Sequence, residues 1–165
     1  MRVNKNQNGF TAIEAIIIIV VVVALGAVGW LVYKDNHKNS TSSGNSSSIS
    51  SWYNTNYQDF AAAVKTVGKD VGNVAQDVVS QNATGTQTDC QQAQTDITSL
   101  QQIPAYPVAS TNAKVVKAES ELSSGATDCL NGLNQGSSAL INQAGSEFTT
   151  GLNDLTALAP TLATK

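Results

Sequence analysis

The most apolar stretch of the chain is a single run near its beginning. From Ala15 to Tyr33 nineteen consecutive residues carry no charge, and Ile16 to Val23 within them reads IIIIVVVV. In a helix that rises about 1.5 Å per residue, this run covers roughly 28 Å, close to the thickness of the hydrocarbon layer of a membrane. A single span must satisfy its backbone hydrogen bonds internally, as a helix does. The pattern therefore predicts one transmembrane helix.

A polar linker and then a helical pattern follow the apolar run. Ten of the thirteen residues from Asn39 to Ser51 are Ser, Thr or Gly, a composition typical of a flexible coil. From Trp52 onward, apolar residues recur at intervals of four and three, which places them on one face of a helix. These residues are Tyr53, Tyr57, Phe60, Val64, Val67, Val71, Val74 and Val78.

A second apolar stripe indicates another helix. Thr88 and Gln91 have the spacing of a capping box, which favours a helix start there. Pro104 and Pro107 mark a turn after its end. The stripe consists of Cys90, Ala93, Ile97 and Leu100.

Two more stripes complete the pattern. The third is closed by Gly136, because glycine suits the left-handed position after a helix. The fourth begins at Ser137 or Ser138, which suit a helix N-cap, and is stopped by Pro160. The third stripe consists of Val115, Ala118, Leu122, Ala126, Cys129 and Leu133. The fourth consists of Leu140, Ala144, Phe148, Leu152, Leu155 and Leu158.

These patterns predict an all-α chain. After the apolar run, no stretch alternates apolar and polar residues for long enough to indicate a strand. Short connections favour antiparallel neighbours, so we expect an up-and-down bundle of about four helices.

The two cysteines, Cys90 and Cys129, lie on the second and third stripes. Their midpoint falls between Ala109 and Ser110, just after the proline turn, so an antiparallel pair of helices would bring them to the same height. Two cysteines without further ligands nearby do not make a zinc site, and we predict a disulfide. This places the bundle outside the cytoplasm, where thiols are not kept reduced.

Charge argues against a nucleic-acid partner. The net charge is −3, and from Asn39 onward there are five lysines against ten acids. A nucleic-acid-binding protein would show a basic patch. The first 38 residues carry four basic and two acidic residues, so charge alone hardly decides the orientation in the membrane.

No catalytic constellation is visible, and we predict neither enzyme activity nor a cofactor. His37, the only histidine, lies among Lys34 and Lys38 and is expected to be solvated. No glycine-rich phosphate loop occurs. The acids Asp59, Asp70, Asp77 and Asp128 fall off the apolar stripes, where solvated faces are expected.

Glu14 is an acid near the start of the predicted span. Insertion of an acid such as Asp at the centre of a span costs about 2.5–3.5 kcal/mol. Glu14 lies one helical turn after Phe10, so one interpretation is an exposed carboxylate among the lipid headgroups. A functional role is the other.

The segment Gly9–Glu14 (GFTAIE), followed by the unbroken apolar run, resembles the N-terminal signature of type IV pilins and pseudopilins. The resemblance covers about Met1 to Tyr33. It implies that a membrane aspartic prepilin peptidase cuts between Gly9 and Phe10 and that the new terminal Phe10 is N-methylated. It also implies that Glu14 neutralises the terminal amine of an adjacent subunit when the apolar helices stack into a filament.

The rest of the chain departs from that family. Pilins often carry a proline late in this region, and none occurs between Phe10 and Tyr33. A usual pilin continues its long helix into a head with an antiparallel sheet, whereas here a Ser-rich linker precedes a helical head. The predicted parts are a leader (1–9), a transmembrane and polymerisation helix (10–38), a linker (39–51), a helical bundle (52–160) and a tail (161–165).

Together with this resemblance, the sequence predicts a pilin-like subunit of a surface filament for adhesion, motility or DNA uptake, with its N-terminus in the cytoplasm and its head outside. Its expected partners are membrane lipid, prepilin peptidase and other pilin subunits. The alternatives are a pseudopilin of a secretion system and a monomeric, membrane-anchored binding module. A secretory signal peptide is a further alternative, although Ala24 to Gly29 offers only a loose cleavage site for it.

Overall fold

The computed structural model describes residues 46–163, which form helices joined by short connections. The helices are α1 (Ser46–Val79), α2 (Ala83–Gln101), α3 (Ala109–Gln135) and α4 (Ser138–Leu162). This range contains no strand, which confirms the all-α class for the bundle. The predicted transmembrane helix, residues 10–38, lies outside the described residues. None of the four helices is both long enough and apolar enough to cross a bilayer.

Short connections place consecutive helices side by side and antiparallel. Residues 80–82 join α1 to α2, residues 102–108 join α2 to α3, and residues 136–137 join α3 to α4. Each helix packs against its neighbour in the chain, and α1 also packs lightly against α4, while the backbones of the two diagonal pairs of these helices stay farther apart. This is the predicted up-and-down bundle. We call the end with the two shortest connections the distal end, and the opposite end the proximal end.

The predicted apolar stripes face one another in the centre of the bundle. On α1 the stripe is buried from Tyr57 to Val74, and Tyr53 and Val78 at its ends are partly buried. Complete burial of a large apolar side chain contributes roughly 1.5–3 kcal/mol, so this core is the main source of stability. The largest fully buried apolar side chains are Phe148, Ile97, Leu100, Leu122, Leu155 and Leu162.

Helices α3 and α4 approach closely where glycine replaces a side chain. A Cβ atom added at Gly151 would lie 2.8 Å from the carbonyl oxygen of Ala118 and 2.7 Å from Cγ of Leu122. A Cβ atom added at Gly125 would lie 3.1 Å from the carbonyl oxygen of Ala144. These distances leave no room for a methyl group, so the glycines set the spacing of the two helices.

The start of α1 corrects the predicted linker boundary. The helix begins at Ser46 rather than at Trp52, so residues 46–51 are helical. Their hydroxyl-rich composition favoured a coil, but Ile49 is buried in the core and extends the apolar stripe by one turn. Burial of an apolar side chain outweighs the weak local preference of serine.

The start of α2 also differs from the prediction. The helix begins at Ala83, and its N-cap is Asn82, whose side chain accepts a hydrogen bond from the N–H of Gly85 (3.0 Å). Thr88 is therefore not a cap but an interior residue, and its hydroxyl donates to the carbonyl of Thr84 (3.0 Å). Asparagine is as good an N-cap as serine or aspartate, and this signal was missed.

The end of α3 and the start of α4 agree with the prediction from the sequence, but the end of α4 does not. Gly136 has the left-handed conformation (φ 61°), and the Ser137 hydroxyl caps α4. Pro160, which was expected to stop α4, lies inside it. Proline only removes the hydrogen bond to the Thr156 carbonyl, and the helix continues because Leu162 is fully buried.

Substitution of Gly151 tests the close approach of α3 and α4. We expect Gly151→Ala to lower the free energy of unfolding by roughly 1–3 kcal/mol, because the methyl group overpacks the contact with Ala118. Gly72→Ala on α1 is the matched control, since nothing lies within 4 Å of its added Cβ. That variant should gain roughly 0.5–1 kcal/mol from helix propensity.

The measurement is urea denaturation of the full chain in detergent micelles, followed by circular dichroism. Equal stabilisation by the two substitutions would contradict the close approach.

Candidate functional site

The residues predicted to be processed and to drive assembly lie outside the described residues. They are Gly9 and Phe10 at the predicted cleavage point and Glu14 in the predicted span. The described part of the chain holds the other predicted pair, Cys90 and Cys129, and it contains polar features that were not predicted.

Cys90 of α2 and Cys129 of α3 form a disulfide, as predicted. Their Cα atoms are 6.3 Å apart, and both side chains are fully buried. The connection between α2 and α3 is the longest in the bundle, so the disulfide fixes the pair of helices that the chain itself holds least tightly. At the other end of this interface, the Gln101 amide donates to the Ser123 hydroxyl (3.0 Å).

Aromatic residues close the proximal end of the bundle. Nε1 of Trp52 donates to the carbonyl of Pro104 (2.6 Å), and the rings of Trp52 and Tyr106 meet edge to face with centroids 5.0 Å apart. The Tyr106 hydroxyl donates to the carbonyl of Thr161 (3.3 Å). These contacts join the start of α1, the connection between α2 and α3, and the end of α4.

A shallow cleft lies beside this aromatic cluster. Its walls are the first turns of α1 and the connection that follows α2, and they expose hydroxyl and amide groups but no charged side chain. Such a cleft offers hydrogen bonds but no charge to select a ligand. The lining residues are Ser47, Ser48, Ser51, Trp52, Thr55, Asn56, Ala105 and Pro107.

Four aspartates lie along the interface of α1 and α2, which we call the acidic seam: Asp70 and Asp77 on α1, and Asp89 and Asp96 on α2. Asp70 pairs with Asp96, and Asp77 pairs with Asp89. The structure corrects the prediction that Asp70 is solvated, because its side chain is only 7% exposed.

Burial and like charge change the acidity of the seam. The pKa of Asp70 is raised to about 7, chiefly by burial and then by the hydrogen bond and charge of Asp96 and the charge of Asp89, whereas the charge of Lys69 lowers it. Burial also raises the pKa of Asp89, with a further contribution from Asp77.

The sequence contains a signal for this seam that was missed. Asp70 and Asp77 are seven residues apart, and so are Asp89 and Asp96. Seven residues are two helical turns, so each pair lies on one line along its helix. Each aspartate directly precedes a residue of an apolar stripe, namely Val71, Val78, Cys90 and Ile97. An acid at the edge of a stripe can face the neighbouring helix, as Asp70 does, or solvent, as Asp59 does.

Between residues 46 and 163, no group of three or more His, Cys, Asp or Glu side chains is arranged to hold a metal ion. Glu119 on α3 is half-buried, which raises the pKa of its carboxyl group. Lys117 bridges α3 and α4 by donating to Asp154 (3.0 Å), and such an exposed ion pair stabilises a fold only slightly.

Comparison of the chain with protein-family models, with curated proteins and with solved structures gives no match.

The contribution of the disulfide can be measured by removing it. We expect the double variant Cys90→Ala/Cys129→Ala to lose roughly 4 kcal/mol of unfolding free energy, because the unfolded chain regains the entropy of a loop of about 40 residues. Urea denaturation of the full chain in detergent micelles gives this value. A reductant should destabilise the natural chain and leave the double variant unchanged. A double variant as stable as the natural chain would show that the disulfide adds nothing.

Proposed function

We propose that this chain is a type IV pilin-like structural subunit, anchored by its N-terminal apolar helix, processed by prepilin peptidase and assembled into a surface filament. The observation that carries the proposal is the segment Gly9–Glu14, placed directly before nineteen uncharged residues. In this role the apolar helix polymerises, and the helical bundle is the displayed head.

The pairing of Glu14 with a terminal amine explains why an acid stands so close to an apolar run. A carboxylate in a stack of apolar helices needs a positive partner, because a buried unpaired charge is strongly destabilising. Cleavage after Gly9 would create an amine at Phe10, four residues from Glu14. The amine of one subunit then lies within reach of the carboxylate of the next.

The disulfide supports a location of the bundle outside the cytoplasm. Structural disulfides persist where thiols are not kept reduced. Cys90 and Cys129 are both buried and join two helices of the core. This location is the one that a pilin-like topology requires of the head.

The topology of the bundle supports an orientation of the head. α1 begins at the proximal end, and its sequence follows directly from the proposed anchor and linker. The proximal end therefore faces the membrane or the filament axis. The distal end, with residues 80–82 and 136–137, faces outward and offers short, polar connections to a partner.

A membrane-anchored binding module is the second candidate. It is favoured by one observation: the bundle at residues 46–163 has no strand, whereas a usual pilin head contains a sheet. In that case the apolar helix anchors a monomer and the bundle binds a partner alone.

Processing is tested by intact-mass analysis of the protein purified from its own cells. We expect the mature chain to begin at Phe10 and to carry one additional methyl group. Gly9→Leu should block cleavage, because a side chain at this position obstructs the extended backbone that a peptidase needs. Gly29→Leu, inside the apolar run, is the matched control and should be cleaved normally. A natural chain that still begins at Met1, or that is cut inside the apolar run, would contradict the proposal.

Assembly is tested at Glu14. We expect Glu14→Ala to be inserted and processed normally but to give far fewer sheared surface filaments, because the terminal amine loses its partner. Asp35→Ala removes an acid just beyond the apolar run and should assemble like the natural protein. Filaments in normal yield from Glu14→Ala would contradict the role of Glu14. Correct processing without filaments in the natural protein would favour the binding module.

A further inference from the structure

The carboxyl group of Asp70 is buried, and one of its two oxygens has no hydrogen-bond donor. The residue is 7% exposed, and no donor in the described part of the chain reaches its Oδ2 atom. An ionised carboxylate in such a place is costly, because it has lost water and has not gained enough hydrogen bonds. Asp70 must therefore be neutral or gain a partner.

The group that faces Asp70 across the seam is another carboxyl group, that of Asp96. The two side chains are within hydrogen-bonding reach. Two ionised carboxylates are both acceptors, so a hydrogen bond between them requires that one of them carries a proton. The carboxyl group of Asp70 is buried and that of Asp96 is partly buried, and two carboxyl groups within hydrogen-bonding reach repel each other strongly when both are ionised.

The other charged groups do not relieve this repulsion. Asp89 on α2 adds a second negative charge, and Lys69, the neighbour of Asp70 on α1, offsets it only in part. α4 also packs against α1, but its acids, Glu147 and Asp154, are not among the groups that shift the pKa of Asp70. A proton is therefore the simplest neutralising partner.

We propose that Asp70 and Asp96 share one proton in the folded bundle and that loss of this proton weakens the packing of α1 against α2. The shared proton makes the seam a pH-sensitive contact, strong in acid and weaker above neutrality. The Asp77–Asp89 pair extends the same seam toward the distal end, where the Asn82 amide donates to Asp77 (3.2 Å). The inference concerns the bundle alone and holds whether or not the chain forms filaments.

The direction of the pH effect follows from the two states of Asp70. In the unfolded chain its pKa has the ordinary value of 3.8, and in the folded chain it is raised to about 7. Between these values the folded state binds more protons than the unfolded state, so stability falls as the pH rises. The loss should begin near pH 4 and be complete a little above pH 7.

The test is thermal unfolding of the full chain in detergent micelles between pH 4.5 and pH 8. We expect the melting temperature of the natural protein to fall by several degrees across this range. Asp70→Asn should keep a higher melting temperature at pH 8 and depend less on pH, because its amide donates to the Asp96 carboxylate without a proton from solvent. Asp59→Asn, an exposed acid on the same helix, should follow the natural protein. Parallel curves for Asp70→Asn and the natural protein would overturn the proposal.

A second variant covers the case in which Asp70→Asn does not fold. Asp96→Asn then serves instead, since its amide donates in the opposite direction.

Two further measurements test the shared proton directly. Carbon NMR of the aspartate carboxyl groups in the natural chain should show Asp70 titrating near neutral pH, and an Asp70 that is fully ionised at pH 5 would overturn the proposal. Calcium tests whether a cation, instead of a proton, neutralises the two carboxyl groups. Stabilisation by calcium at pH 8 in the natural protein but not in Asp70→Asn would also overturn it.

Discussion

The antiparallel register of the helices determines which side chains meet in this bundle. Residues 80–82 and 136–137 are too short to allow a slip of one turn between the helices that they join. Within α1 and α2, this register places Asp70 opposite Asp96 and Asp77 opposite Asp89. Between α3 and α4, it places Gly151 opposite the backbone carbonyl group of Ala118. The same constraint thus produces a close approach of two helix backbones and a repulsive contact between carboxyl groups.

The apolar core is what allows the acidic seam to exist. The fully buried large side chains supply a stabilisation of many kcal/mol, since each contributes roughly 1.5–3 kcal/mol. Burial of an aspartate that a proton has neutralised lowers the free energy of unfolding by a few kcal/mol at most. The stabilisation by the core is larger than this cost. Asp70 is therefore buried beside Val71, and α1 keeps its register.

Periodicity predicted the helices well, because a stripe of apolar residues has one favourable position in a bundle. The stripes of α1 to α4, the Cys90–Cys129 disulfide and the turn at Gly136 and Ser137 follow from residue types and spacing alone. Boundaries were less predictable, since they depend on tertiary burial. Ile49 extends α1 into a serine-rich segment, and Leu162 carries α4 past a proline.

The acidic seam could not be predicted from the stripes because an acid beside a stripe has two possible environments. Asp59 and Asp70 are both off the apolar stripe of α1, yet one is exposed and the other is buried. The difference depends on the position of α2, which covers the distal half of α1 and ends before Asp59. Only the seven-residue repeat on both helices distinguishes the two cases, and it does so only after the register is known. The prediction for Gly9 to Glu14 is of another kind, because it rests on a resemblance to a family signature and not on packing.

The helices are not held equally well. The glycine contacts hold α3 to α4, and the disulfide holds α2 to α3, so three helices form a cross-linked unit. α1 is joined to this unit by residues 80–82 but by no disulfide; it packs mainly against α2, in the interface that contains the acidic seam, and touches α4 only lightly. The hydrogen bond from Trp52 to the Pro104 carbonyl fixes its first turns. α1 is also the first helix of the bundle along the chain, so a force on the N-terminal side of the chain reaches this helix first. The whole contact of α1 with α2, in which the acidic seam is the polar part, therefore sets how firmly α1 is held to the other three helices.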